Sequence, residues 1–193
     1  NINAGDALYI GLADRAIGSG LKQQVFDALL ALEFAADVDR NHAMISSVLR
    51  NHQLVDEDLP ASPLREHFDT INQLCDADTL PDVVAQITAL QSDDEWLQKA
   101  AKTLARGCAQ TAWLVWEGQR RVRHLSLADA FRMEWIMSVQ CAAHGDFQEG
   151  VRALLIDKDG APAFRYQAVG DVPQAYVEEF FVSPVAPHPL EEL

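Results

Sequence analysis

Long apolar runs are missing from this chain. The longest, Ala28 to Ala36, is interrupted by Glu33 and falls well short of the roughly 20 residues a helix needs to cross a bilayer. No membrane partner is expected, and no basic, apolar and cleavage pattern opens the sequence. Cysteine is scarce, with Cys75, Cys108 and Cys141 far apart and no C-x-x-C. That excludes a disulfide framework and points to a reducing, cytoplasmic setting, with the thiols expected to be buried and structural. Positive charge is also short: 15 Lys plus Arg face 29 Asp plus Glu, for a net charge of −14. A nucleic-acid partner would call for the opposite balance.

Motifs that mark common chemistries are absent too. The histidines, at 42, 52, 67, 124, 144 and 188, form no H-E-x-x-H and no Cys/His zinc spacing, so no metal is expected. There is no G-x-S-x-G elbow, no P-loop and no G-x-G-x-x-G. Gly18-Ser19-Gly20 reads as a turn with a cap.

What is present is a helical period in a chain of ordinary globular composition, 193 residues long, 49% hydrophobic and 23% charged. Asn3 can cap a short helix ending at Gly11, and Leu12 to Ile17 alternates like a short strand. Ser19 is placed to cap a helix carrying Leu21, Val25, Leu29 and Leu32. A second covers Arg40 to His52. Ser62 followed by Pro63 is a strong helix start, and Thr79 begins another helix with Val83, Val84, Ile87 and Leu90. Trp96 to Leu104 form a further one, which Gly107 ends. Residues 108 to 122 carry Trp113 and Trp116, and Ser126-x-x-Asp129 resembles a capping box for a long helix with Trp135. Asp146 to Glu149 starts the next, Asp157 to Pro162 is turn chemistry, and a last helix runs from Pro173 to Phe181. Nine or ten helices are expected, with an irregular, loose tail.

Charge is unevenly placed. From Leu54 to Glu95 the net charge is −10, and from Lys99 to Arg123 it is +5. Two readings remain open: solvated helical faces that pair with each other, or a basic stretch facing an anionic ligand or partner. Glu149 and Arg152 are spaced to interact on one helix, and Glu149 also suits a capping role. Glu134, among apolar neighbours, suits a partly buried carboxylate paired with an arginine such as Arg152. Trp113, Trp116 and Trp135 read as core rather than as a ligand platform.

Two stretches carry more than periodicity. They are Leu125-Ser126-Leu127-Ala128-Asp129-Ala130-Phe131-Arg132-Met133-Glu134-Trp135, and the run from Asp146-Phe147-Gln148-Glu149-Gly150-Val151-Arg152 through Asp157-Lys158-Asp159 to Pro162. Together they resemble the C-terminal region of 3-hydroxyisobutyryl-CoA hydrolases, a branch of the crotonase (enoyl-CoA hydratase/isomerase) superfamily. Gly5 to Asp14 is similar to the crotonase segment in which a short helix leads into the last small strand of the spiral core. The resemblance covers about residues 4 to 181, and two positions depart from it. Cys108-Ala109-Gln110-Thr111 stands where these hydrolases usually have Ser-Pro-Thr/Ser-Ser, and Phe164 stands where a Trp is common.

The resemblance implies a mainly α chain with at most one or two short strands near the N-terminus. It implies residues 1–18 as the end of the spiral core, 19–181 as a helical C-terminal region and 182–193 as an irregular tail. It implies cleavage of a CoA thioester in valine breakdown, with an acyl-CoA substrate and no covalently bound cofactor. In such enzymes a pair of backbone N–H groups forms an oxyanion hole, and acidic residues move protons or activate water. The resemblance places all of these upstream of Gly5–Asp14, so it assigns no catalytic residue here. Asn1-Ile2-Asn3-Ala4, without a Met start, reads like the inside of a chain, so a fragment inactive alone is expected. Its implied partners are an N-terminal crotonase core and a further copy of itself. Lys158 and Phe164 match positions that approach the adenosine end of CoA: a lysine suits phosphates as a point charge, and an aromatic can cover adenine. A solvated turn lysine paired locally, and a core phenylalanine, are the alternatives. A hydratase or isomerase, or a non-enzymatic helical interaction module, remain alternative functions.

Overall fold

The structure, a computed structural model, describes residues 2–193, so Asn1 lies outside the described residues. The chain divides into two compact units, Asn1–Gln73 and Leu74–Leu193. Among the described residues, eleven α-helices are joined by short 3₁₀ turns and one π-helical turn.

In the first unit, α1 (Ala4–Tyr9) is closed at its start by a reciprocal cap between Asn3 and Asp6. Asp6 is fully buried. It accepts from the Asn3 amide at 3.0 Å, the Ser62 hydroxyl at 2.7 Å and the Leu64 amide at 3.0 Å. That carboxylate ties α1 to the start of α4 (Pro63–Glu66), where Ser62 itself caps the Arg65 amide. Burial pushes the Asp6 carboxyl up, but its donors pull it down further, and the result is below the usual value. The expected strand over Leu12–Ile17 reduces to an isolated antiparallel bridge between Ile17 and Gln53. Leu12 is 69% exposed and Ala16 alone in this stretch is buried, so the alternation has too little buried face to hold it. Ser19 does not cap: a 3₁₀ turn, Ser19–Leu21, leads into α2 (Lys22–Leu30). Asp37 caps α3 (Val38–Asn51), accepting from the amides of Asp39 and Arg40.

α5 (Phe68–Cys75) reaches the second unit. There α6 (Leu80–Thr88) starts at Thr79, α7 (Glu95–Ala105) at Asp94 and α9 (Leu127–Ala143) at Ser126, each capped by that side chain. α8 (Ala109–Val122) starts at Cys108 without a side-chain cap. The core gathers Ala109 and Leu114 of α8 with Val172 and with Tyr176, Val177 and Phe180 in and beside α11 (Gln174–Glu179). Trp113 packs against it and donates its indole N–H to the Val169 carbonyl at 2.8 Å, as its expected core role requires. The tail is irregular but tied down. Arg132 donates to the carbonyls of Leu190, Glu191 and Leu193, and His188 stacks edge-on against Trp135.

Candidate functional site

The run from Asp146 folds as α10 (Asp146–Val151), entered through Gly145 at φ 88, a left-handed backbone that glycine adopts without cost. α10 passes directly into a π-helical turn, Arg152–Ile156, closed by the Asp157 amide donating to the Arg152 carbonyl at 2.8 Å. Single π turns of this kind often sit at functional sites. The chain then bends back, and the Gly160 amide donates to the Ala153 carbonyl at 3.0 Å.

Arg152 organises the bend. Its guanidinium forks onto Glu149, with Nε to Oε2 at 2.8 Å and Nη2 to Oε1 at 2.7 Å. Nη1 reaches Asp157 and Asp159, each at 2.7 Å. The Glu149 carboxylate also accepts the Ala163 amide at 2.7 Å. Hydrogen bonding to Arg152 first, then to Ala163, lowers the Glu149 carboxyl to about 2. The Arg152 contact likewise lowers Asp159. Glu149 is therefore no helix cap, since Gly145 occupies that place. Glu134 is exposed and does not meet Arg152, whose side chain is committed to the three carboxylates beside it.

Lys158 stands at the apex of this bend, exposed and left-handed at φ 56. A non-glycine residue rarely adopts that backbone, and such outliers gather at functional positions. The local pairing that its sequence neighbours suggest does not form, because Arg152 holds both Asp157 and Asp159. Among the described residues no hydrogen bond or ion pair engages the Lys158 ammonium.

Phe164 is half-buried. Its ring edge lies 3.9 Å from the place a Cβ on Gly150 would take, so the glycine leaves room for it. Phe164 lines a cleft of about 330 Å³ with Cys108, Cys141, Asp146, Phe147 and Leu154 among others. Lys158 is not among those lining residues, so the two expected CoA-contact residues share one bend but not one cleft.

That cleft contains polar groups whose roles the sequence did not disclose. Asp146 is buried and accepts from the Arg165 amide at 2.9 Å and from the Cys108 thiol at 3.5 Å. Burial pushes the Cys108 thiol up, Thr111 pulls it back, and Asp146 adds to the rise. A thiol held protonated in this way acts as a hydrogen-bond donor at neutral pH, not a nucleophile. Gln110, also buried, accepts from the Tyr176 hydroxyl at 2.9 Å, and the Arg165 guanidinium lies 4.7 Å from the Tyr176 ring centroid. The hydrogen-bonded partners are 19 to 66 residues apart in sequence, so no local spacing could reveal them. The cysteines are expected to be buried; Cys108 and Cys141 are half-buried and Cys75 is exposed. Among the described residues no group of three or more His, Cys, Asp or Glu is placed to hold a metal ion. No helix there is long and apolar enough to cross a membrane.

Comparison with known proteins gives consistent results. The family model described as Enoyl-CoA hydratase/isomerase matches residues 1–181. The chain is 28% identical over 181 residues to the 3-hydroxyisobutyryl-CoA hydrolase, mitochondrial, of Gallus gallus, covering 91% of this chain and 44% of that one. It is 28% identical over 186 residues to the protein of the same name from Homo sapiens, covering 92% and 45%. The chain thus spans less than half the length of these relatives. Among solved structures, a carnitinyl-CoA dehydratase from Mycobacterium thermoresistibile superposes with a TM-score of 0.74 at 27% identity, covering 95% of this chain and 48% of that one.

Proposed function

Since the chain belongs to the enoyl-CoA hydratase/isomerase family across residues 1–181, we propose that it forms the C-terminal helical portion of an enzyme acting on CoA thioesters, of the 3-hydroxyisobutyryl-CoA hydrolase kind. The observation that carries this reading is the family match, together with curated relatives that bear that name along 91% and 92% of the chain. In this reading residues 1–18 close the spiral core, 19–181 are the helical region and 182–193 the tail. The substrate is an acyl-CoA whose hydrolysis belongs to valine breakdown. The oxyanion hole and the catalytic acids come from the N-terminal crotonase core, so the 193-residue chain has no turnover of its own.

Lys158 and Phe164 meet the adenosine end of CoA. What supports this is the bend itself. Arg152 engages the acids flanking Lys158, so the Lys158 ammonium at the apex is uncommitted, where a phosphate can reach it. Phe164, exposed in part beside Gly150, presents an aromatic edge on the same bend. Three widely spaced cysteines with no C-x-x-C are read as cytoplasmic; expression of a fluorescent fusion in its host tests that location.

A second reading, a hydratase or dehydratase, is favoured by the carnitinyl-CoA dehydratase likeness and by Cys108-Ala109-Gln110-Thr111 in place of the hydrolase Ser-Pro segment. Product analysis separates the two. The full reading frame should release free CoA thiol from 3-hydroxyisobutyryl-CoA, and the 193-residue chain should not. Hydration of an enoyl-CoA without thiol release would establish the second reading. Turnover by the isolated chain would refute the division of labour proposed here.

A further inference from the structure

The basic stretch of α8 contains two kinds of arginine. Arg121 is occupied: its guanidinium meets Glu178 at 2.6 Å and Glu117 at 3.6 Å, and lies 3.7 Å from the Phe181 ring centroid. Arg120 and Arg123 are exposed, and neither pairs with a carboxylate among the described residues. Both of them, with His124, line a cleft of about 1010 Å³ within the Leu74–Leu193 unit. Leu80 and Val83 of α6 and Ala112, Val115 and Trp116 of α8 supply apolar lining. No aspartate or glutamate lines the cleft, in a chain that carries 29 acidic residues.

We propose that this cleft binds an anionic amphiphile, a linear alkyl carboxylate, with its chain along the apolar lining and its headgroup on Arg120 and Arg123. Small-molecule sites are mostly apolar, with a few polar groups that fix orientation. The apolar and cationic parts are separated here in the same way. The 14 residues of α8 extend about 21 Å, and Cys108, Thr111, Ala112, Val115, Trp116, Gln119 and Arg123 place cleft-lining positions along that whole length. The headgroup end coincides with the helix C-terminus, whose carbonyls repel anions. The two guanidiniums outweigh that half-charge, and each can fork onto a carboxylate. The cleft is walled by Leu80 and Val83, both under 9% exposed, while Val115 is 59% exposed, so an alkyl chain would cover apolar surface that water now touches.

Titration calorimetry of the 193-residue chain with dodecanoate, below its micelle concentration, tests the proposal without any CoA compound. One saturable site is expected, accompanied by a change in tryptophan fluorescence. Neutral dodecanol should bind at least about tenfold more weakly, the loss of one charge-assisted interaction. The double variant R120Q/R123Q should lose about tenfold or more for dodecanoate and nothing for dodecanol. The charge-matched control K22Q/R50Q, in the other unit, should bind as the parent does. Ala112→Phe should abolish binding of both ligands with the melting transition retained. Absence of saturable binding, equal affinity for dodecanol and dodecanoate, or indifference to R120Q/R123Q would each overturn the proposal. Saturation by an apolar peptide in preference to dodecanoate would show a protein-docking groove and overturn it equally.

Discussion

Arg152 decides what Lys158 can do. By gathering Glu149, Asp157 and Asp159 it orders the bend and withdraws from Lys158 the carboxylates beside it in sequence. The spacing of Glu149 and Arg152 showed that they could pair. It could not show that the chain folds back to bring Asp157 and Asp159 to the same guanidinium. Two predictions belong at this scale. Because Arg152 and the Ala163 amide hold the Glu149 carboxyl at about 2 instead of 4.5, the folded bend gains stability that is complete above pH 4.5 and is lost as pH falls toward 2. The Ala163 amide resonance should therefore titrate with a midpoint near 2, and a midpoint near 4.5 would show that the contact is absent. Lys158→Ala in the full-length enzyme should raise KM for the CoA substrate several-fold, on the order of an exposed charge contact, with kcat unchanged. An unaltered KM would remove Lys158 from the CoA site.

Elements whose ends carry their own signals were legible in the sequence. Ser62, Thr79 and Ser126 each cap the helix they announce, because capping involves only neighbours. Ser19 fails because a 3₁₀ turn intervenes before α2. The Leu12–Ile17 strand fails because strand pairing needs a distant partner, and among the described residues the pairing stops at an isolated bridge with Gln53 and one bond from the Leu54 amide to the Ala16 carbonyl. The π turn after α10 depends on the bend that follows and leaves no local mark. Packing across elements was likewise hidden, and α11 shows how much rests on it. Phe180 and Val177 are completely buried, so Phe180→Ala should destabilise the Leu74–Leu193 unit by about 3–5 kcal/mol. Thr79→Ala, removing one cap, should cost only about 1 kcal/mol. Denaturant melts of both variants check the ranking, and equal effects would show that α11 is not the anchor of that core.

At the scale of the whole molecule, the absence of long apolar runs did not mean an absence of exposed apolar surface. Phe147, Leu154, Leu155 and Ile156 of α10 and its π turn are 59%, 61%, 67% and 69% exposed. A folded monomer seldom shows so much together, and in the proposed enzyme this face lies against the crotonase core. The isolated chain should bind a hydrophobic dye or dimerise, measured by fluorescence and by sedimentation; a monomer that ignores the dye would contradict that. The acidity that dominates the composition also proves local, since Leu54–Glu95 carries −10 while Lys99–Arg123 carries +5, and the Arg120–Arg123 cleft has no acidic residue among its lining although α6 of the acidic block walls it. The central claim, that this chain carries the CoA-facing bend of a thioester enzyme, is tested most directly by hydrogen exchange on the full-length protein with and without CoA. Protection is predicted over residues 157–165 and should be weakened in Lys158→Ala. Protection confined to other segments, with 157–165 exchanging as freely as before, would contradict it.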